Sequence, residues 1–340
     1  MIVEKFAALS ALFLMSAAFT GLIRAVALSR GVLDVPNARS SHTAPTPRGG
    51  GLAIVVTMLV AIGILQAMGA VAPAISAAIL VGGPAVALIG LIDDIRSVSA
   101  PARLAVHVAA CVWGVWCLGR LPPIDFGFGP WNLGLAGSIC GVVFLVWLLN
   151  LYNFMDGIDG IASVEAVSVL AVAWVLFERR SGEPSTVYLI PVVAASTAGF
   201  LAWNWPPARI FMGDAGSGFL GYCLGVIGWA TVVAQRLTVW VWLILLGAFV
   251  VDATVTLLRR WRRGARLSQA HRSHAYQRLS RRYASHLKVT VGVLCINLLW
   301  LGPLAAIADS RPSMGALLTL IAWTPLVIVA WRSGAGAADD

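Results

Sequence analysis

The sequence predicts an all-α integral membrane protein of about eleven transmembrane helices, and three observations carry that prediction. Of its 340 residues, 59% are hydrophobic and 11% charged, and the mean hydropathy is +0.86. That is more apolar surface than one water-soluble core can hide. Apolar stretches close to the ~20 residues that span a bilayer recur along the whole chain, and clusters rich in Asp, Asn and Gly fall between them.

The predicted spans are roughly 6–28, 51–70, 73–92, 102–119, 133–150, 160–177, 187–203, 216–234, 238–257, 289–308 and 313–331. The first is longer than a signal-peptide core and is preceded by Glu4 beside Lys5, so it reads as a retained helix. Cys111, Cys117, Cys140, Cys223 and Cys295 all lie within spans, with neither metal-ligand nor disulfide spacing, and read as packing residues. Neither a repeat nor a linker divides the chain, which reads as one membrane domain over 1–340.

Eleven spans put the termini on opposite sides, and the positive-inside rule selects the orientation. With the N-terminus outside, the inner segments are 29–50, 93–101, 151–159, 204–215, 258–288 and 332–340. Counted with Arg103 at the mouth of the fourth span, they hold 17 Lys and Arg; the outer segments hold six. The N-terminus is therefore expected outside and the C-terminus inside. Ten of the 24 basic residues lie between Arg259 and Lys288, beside a span. The net charge of +9 thus points to anionic membrane lipid or a phosphorylated substrate, not to nucleic acid. The 258–288 segment reads as a basic cytoplasmic loop whose Arg-rich start anchors it to the membrane surface.

The polar clusters share the inner face. Asp93-Asp94 ends the third span, where adjacent carboxylates repel unless a cation or proton donor lies between them; two solvated aspartates partnered by Arg96 are the plainer alternative. Asn150 to Gly160 packs Asn153, Asp156 and Asp159 between apolar runs, a density of carboxamides and carboxylates that reads nucleobase and ribose edges or ligates a hard cation. Its Asp-Gly pairs also make ordinary turns. Asn204-Trp-Pro-Pro halts the seventh helix, and Asp214 then opens the eighth near its positive end. One aspartate suffices as a Mg²⁺ ligand when water and substrate phosphates complete the shell, and an N-cap role is compatible with it. The Gly216 to Gly218 amides are expected near phosphate. Around His42, Arg48 with Gly49 to Gly51 suits a phosphate clamp or merely a flexible loop. His271 and His274, spaced i, i+3, are expected on one helical face, or else as two surface histidines in a basic loop.

At these residues the chain resembles the polyprenyl-phosphate N-acetylhexosamine-1-phosphate transferases, glycosyltransferases of the family 4 type related to phospho-N-acetylmuramoyl-pentapeptide transferase. Asp93-Asp94, Asn153 to Gly160, Phe211 to Gly218 and the histidine motif agree in type, order and sidedness across about 250 residues. Asp34-Val-Pro-Asn-Ala-Arg-Ser-Ser-His and Asn204-Trp-Pro-Pro look closest to the bacterial branch that initiates O-antigen or other surface polysaccharides. The resemblance implies that undecaprenyl phosphate attacks the β-phosphorus of a UDP-N-acetylhexosamine at the cytoplasmic face of the bacterial inner membrane, releasing UMP. It implies Mg²⁺ on Asp214, with Asp94 as a second candidate ligand and Mn²⁺ able to substitute. Asp93 or Asp94 would handle the acceptor phosphate. Asn153, Asp156 and Asp159 would line the nucleotide pocket with Phe211 against the uracil, and Arg48 would contact phosphate. His271 and His274 would stand for a denser family motif, and a homodimer is left open. The rival reading is a secondary transporter, which requires midplane charges and repeat symmetry.

Overall fold

The computed structural model describes residues 2–36, 44–179, 188–265 and 271–338; His42 lies outside the described residues. The chain is helical almost throughout: α1 (Ile2–Ser29), α2 (Gly51–Ala67), α3 (Pro73–Ile95), α4 (Ala100–Leu118), α5 (Gly134–Met155), α6 (Ile161–Glu178), α7 (Leu189–Asn204) and α8 (Asp214–Val233). These are followed by α9 (Val239–Leu245), α10 (Gly247–Arg262), α11 (Ala275–Tyr283), α12 (His286–Ser310) and α13 (Gly315–Arg332). Two antiparallel hairpins interrupt the helices, Leu33–Asp34 with Thr46–Pro47 and Ile124–Asp125 with Pro130–Trp131.

All eleven predicted segments contain helix, but they do not make eleven uniform spans. Among the described residues eight helices are long and apolar enough to cross a membrane, which makes this a multi-pass membrane protein. Helices α2 and α7 are shorter, at 17 and 16 residues. The ninth predicted segment is α9 and α10, bent by 71° at Leu246. The 258–288 segment is no plain loop, since it holds the end of α10, all of α11 and the first turn of α12.

Helix α8 is the axis of the bundle and is almost wholly buried, packed by α2, α3 and α5. Small residues permit this, because helices in lipid associate by close packing. A Cβ on Gly216 would lie 2.5 Å from the Cα of Gly51, so α2 and α8 meet backbone to backbone. Helices α1, α4, α12 and α13 leave most of their surface outward, where Leu14, Trp116, Leu299 and Leu320 are exposed. Both α3 and α12 carry a π-helical turn, at Ala78–Gly82 and Ile296–Leu301, each followed directly by a Gly-Pro pair. Proline lacks the N–H that would continue the α-helical ladder, and the wider turn absorbs the defect.

Candidate functional site

The ends of α3, α4 and α5 meet at the start of α8. Gly213, at φ +80°, turns the chain into the helix, and a Cβ there would fall 2.8 Å from the Asp94 carboxylate. On the neighbouring helix a Cβ on Gly90 would strike the Asp214 carbonyl at 2.6 Å. These two glycines let α3 deliver Asp94 onto the first turn of α8. The Asp94 Oδ1 and Oδ2 accept hydrogen bonds from the amides of Asp214 and Ala215, both at 3.2 Å. A carboxylate from another helix thus caps α8 and complements its dipole.

The remaining charges build outward from that contact. Arg103, one turn into α4, donates to Asp93 and lies 3.5 Å from Asp214 Oδ2, bridging the two carboxylates. Asp93 Oδ1 also accepts from the Val98 amide at 2.7 Å. Arg48 donates to the main-chain oxygen of Asp94. Asn153, near the end of α5, donates to Ser217 Oγ at 2.9 Å and hydrogen-bonds the Asp214 side chain. Asp156 follows in the next loop. Burial first, then the negative charges of Asp214, Asp94 and Asp159, push its carboxyl well above the usual carboxylate range.

Between the ordinary carboxylate pKa, about 4, and that raised pKa, the folded protein keeps a proton on Asp156 that the unfolded chain releases, so stability is lost as pH rises across that window. The loss approaches about 1.4 kcal/mol per pH unit within the window. Melting of the chelator-treated protein in detergent should show this decline, and Asp156→Asn should flatten it; an unchanged slope in the variant would count against the assignment.

A second group lies beside the first. Asp159 and Phe211 line a cavity of about 590 Å³ together with Thr46, Pro206, Pro207, Ala208 and residues of α11 and α12. The loop carrying Asp159 is pinned by Asn204, whose Oδ1 accepts from Gly160 N at 3.0 Å while its Nδ2 donates to the Ile210 carbonyl at 2.9 Å. The Phe211 amide donates to the Pro47 carbonyl at 2.8 Å. Residues that the sequence groups together thus divide between two adjoining clusters, close enough for the Asp159 charge to act on Asp156. Asn153 and Asp156 stand with Asp94 and Asp214, and Asp159 stands with Phe211.

His271 and His274 are not on one helical face. Both precede α11, with His274 at its N-cap, and their rings stack at 4.9 Å. His274 is buried, not a surface residue, and its Nδ1 lies 3.4 Å from Asp252 Oδ1. Burial, then the neighbouring His274 and Arg260, push the His271 imidazole down to about 3, so it is neutral at physiological pH. The segment reaches the carboxylate site through Tyr276, whose hydroxyl donates to the Phe154 carbonyl at 3.0 Å. A Cβ on Gly157 would fall 2.2 Å from that hydroxyl.

The glycine runs differ from expectation in the same way, since Gly51 and Gly216 are occupied by the α2–α8 contact. Sequence reasoning also missed Asp252 inside the ninth segment. It accepts from the Ala275 and Tyr276 amides at 2.8 and 2.9 Å and so caps α11. Its signal was an acid within an apolar span, which is rarely without a partner. Among the described residues no three His, Cys, Asp or Glu side chains form a ready-made metal cage. Asp94, Asp156 and Asp214 are nevertheless close enough for their charges to act on one another.

Comparisons with known proteins agree on one family. The model for "Glycosyl transferase family 4" matches residues 76–232, which hold Asp93, Asp94, Asn153, Asp156, Asp159, Phe211 and Asp214. A Bacillus subtilis protein named "Probable undecaprenyl-phosphate N-acetylglucosaminyl 1-phosphate transferase" is 29% identical over 271 residues, covering 78% of this chain and 75% of its own. The decaprenyl-phosphate N-acetylglucosaminephosphotransferase of Mycobacterium tuberculosis is 29% identical over 319 residues, covering 84% and 77%. A Salmonella typhimurium undecaprenyl-phosphate alpha-N-acetylglucosaminyl 1-phosphate transferase is 27% identical over 220 residues, covering 63% and 59%. Its acidic motifs thus lie inside the segment that matches glycosyl transferase family 4, and these relatives are similar to the chain along most of its length.

Proposed function

We propose that this protein transfers an N-acetylhexosamine 1-phosphate from a UDP-sugar to undecaprenyl phosphate, forming a lipid-linked sugar pyrophosphate that initiates O-antigen or related surface-polysaccharide synthesis. The observation that carries the reading is the meeting of Asp94, Asp156 and Asp214 with Arg48, Arg103 and Asn153 at one end of an apolar bundle. A lipid phosphate held at a membrane surface and a soluble nucleotide-sugar can both reach such a place. In the reaction a phosphate oxygen of the lipid attacks the β-phosphorus of the donor, the bond from that phosphorus to the bridging oxygen breaks, and UMP leaves with the electron pair.

Both reactants are anions, so the residues must first allow them to approach. Arg103 and Arg48 supply positive charge beside the carboxylates. Asp159 and Phe211 serve the nucleotide in the adjoining cavity. Asp214 would hold Mg²⁺, with Asp94 as the second candidate and Mn²⁺ as substitute, and the cation would neutralise phosphate charge. The neutral His271 and the buried His274 brace the floor of the site through Tyr276.

The face is cytoplasmic on this reading, with the N-terminus periplasmic, because the inner segments so defined carry most of the Lys and Arg. Purified protein given Mg²⁺, undecaprenyl phosphate and a panel of UDP-N-acetylhexosamines should release UMP with at least one of them. Silence with every sugar, from a preparation that melts cooperatively, would overturn the transferase reading.

A further inference from the structure

The donor-side cavity has a second wall that the acidic motifs do not supply. Besides Asp159, Ala208 and Phe211, it is lined by Ser280 and Arg281 of α11 and by Ser285 and His286 at the start of α12. His286 is the first residue of α12, whose N-cap Ser285 accepts from the Lys288 amide at 3.2 Å. Its Nδ1 lies 3.2 Å from Asp159 Oδ1 and 3.4 Å from the Asp159 amide nitrogen. One turn further on, Thr290 Oγ1 donates to the Asp159 carbonyl at 2.8 Å. Positions i and i+4 share a helical face, so the start of α12 holds both the side chain and the main chain of Asp159. The other oxygen of Asp159 accepts from the Ala208 amide at 3.0 Å.

Asp159 needs outside support. It stands between Gly157 and Gly160, the latter at φ +74°, in a backbone that local preference alone leaves loose. Both partners are largely shielded, with side chains 12% exposed for Asp159 and 19% for His286, so this is no solvated surface pair. One imidazole nitrogen cannot donate to a carboxylate and accept from an amide at the same time. The shorter contact, to an oxygen that only accepts when ionised, puts the proton on Nδ1.

We infer that His286 is a positioning residue for the nucleotide-sugar donor, its Nδ1–H holding the Asp159 carboxylate in place at the wall of the cavity that Asp159 shares with Phe211. The inference rests on the transferase reading above. It assigns to the elbow between α11 and α12 a part in binding the donor.

The test is steady-state UMP release by the full-length protein in detergent, with undecaprenyl phosphate and the UDP-sugar that the wild type turns over. His286→Ala should raise the donor KM about 10-fold, the scale at which partners of binding groups act. It should change kcat less and leave the acceptor KM as it was. His286→Asn places an N–H near the Nδ1 position and should restore most of the donor KM; His286→Gln places it near Nε2 and should not. A filler role in packing would not separate these two variants, and they carry the test if the alanine variant fails to fold. An unchanged donor KM, an equal rise in acceptor KM, or rescue by Gln as good as by Asn would overturn the inference. A wild type that releases no UMP from any donor would instead sink the transferase reading, and this inference with it.

Discussion

Asp214→Asn is expected to lower the turnover of UMP release by about 10²–10³-fold, the cost of removing one group that stabilises developing charge. The variant keeps the shape of the side chain and its contact with Asn153 and loses only the negative charge. Arg103 would then retain Asp93 as partner, because it already bridges the two carboxylates, and the fold should be little changed. The loss should come with a weaker dependence on Mg²⁺, so that activity saturates at higher metal concentration or not at all. Turnover measured against Mg²⁺ concentration checks this, and wild-type activity at limiting metal would remove Asp214 from the ligand role. Substitution of the neighbouring Ser217 by Ala makes a fair comparison, since it removes a hydrogen bond to Asn153 without touching charge.

Much of this site was legible in the sequence because its acidic motifs are short and stand out between apolar runs. Asp93-Asp94, Asn153 to Gly160 and Asp214 announce themselves by composition alone, and the structure brings Asp94, Asp156 and Asp214 close enough to interact. What sequence reasoning missed takes its meaning from a remote partner. Arg103 reads as one more cation at a helix mouth until Asp214 is seen 3.5 Å away. His286 has no neighbouring motif, and Asp159 lies more than a hundred residues before it. The glycines mislead for the opposite reason. Gly51 and Gly216 have the local look of a phosphate loop, but a loop open to ligand and a backbone pressed against another helix call for the same residue. The bend at Leu246 is hidden because α9 and the start of α10 are apolar on all sides, so no change of period marks it.

The adjacent pair Asp93-Asp94 should divide under mutation, since each carboxylate has different partners. Asp94→Asn is expected to lower both stability and activity. Its side chain offers one oxygen where two amides need acceptors, and the amide nitrogen would face an N–H of Asp214 or Ala215. One orphaned helix-start donor costs about 1–2 kcal/mol. The same loss lets the first turn of α8 shift, and with it Asp214, so turnover should fall by at least about 10²-fold. Asp93→Asn keeps an acceptor for Val98 N–H and weakens only the pairing with Arg103; its stability should stay within about 1 kcal/mol of wild type. Because Asp94 would act largely through Asp214, the double variant Asp94→Asn/Asp214→Asn should be little slower than Asp214→Asn alone. Unfolding in detergent and UMP release, measured on the wild type and these variants, decide the matter. Additive losses in the double variant would mean that Asp94 meets the acceptor phosphate or the metal directly, independently of the cap it forms on α8.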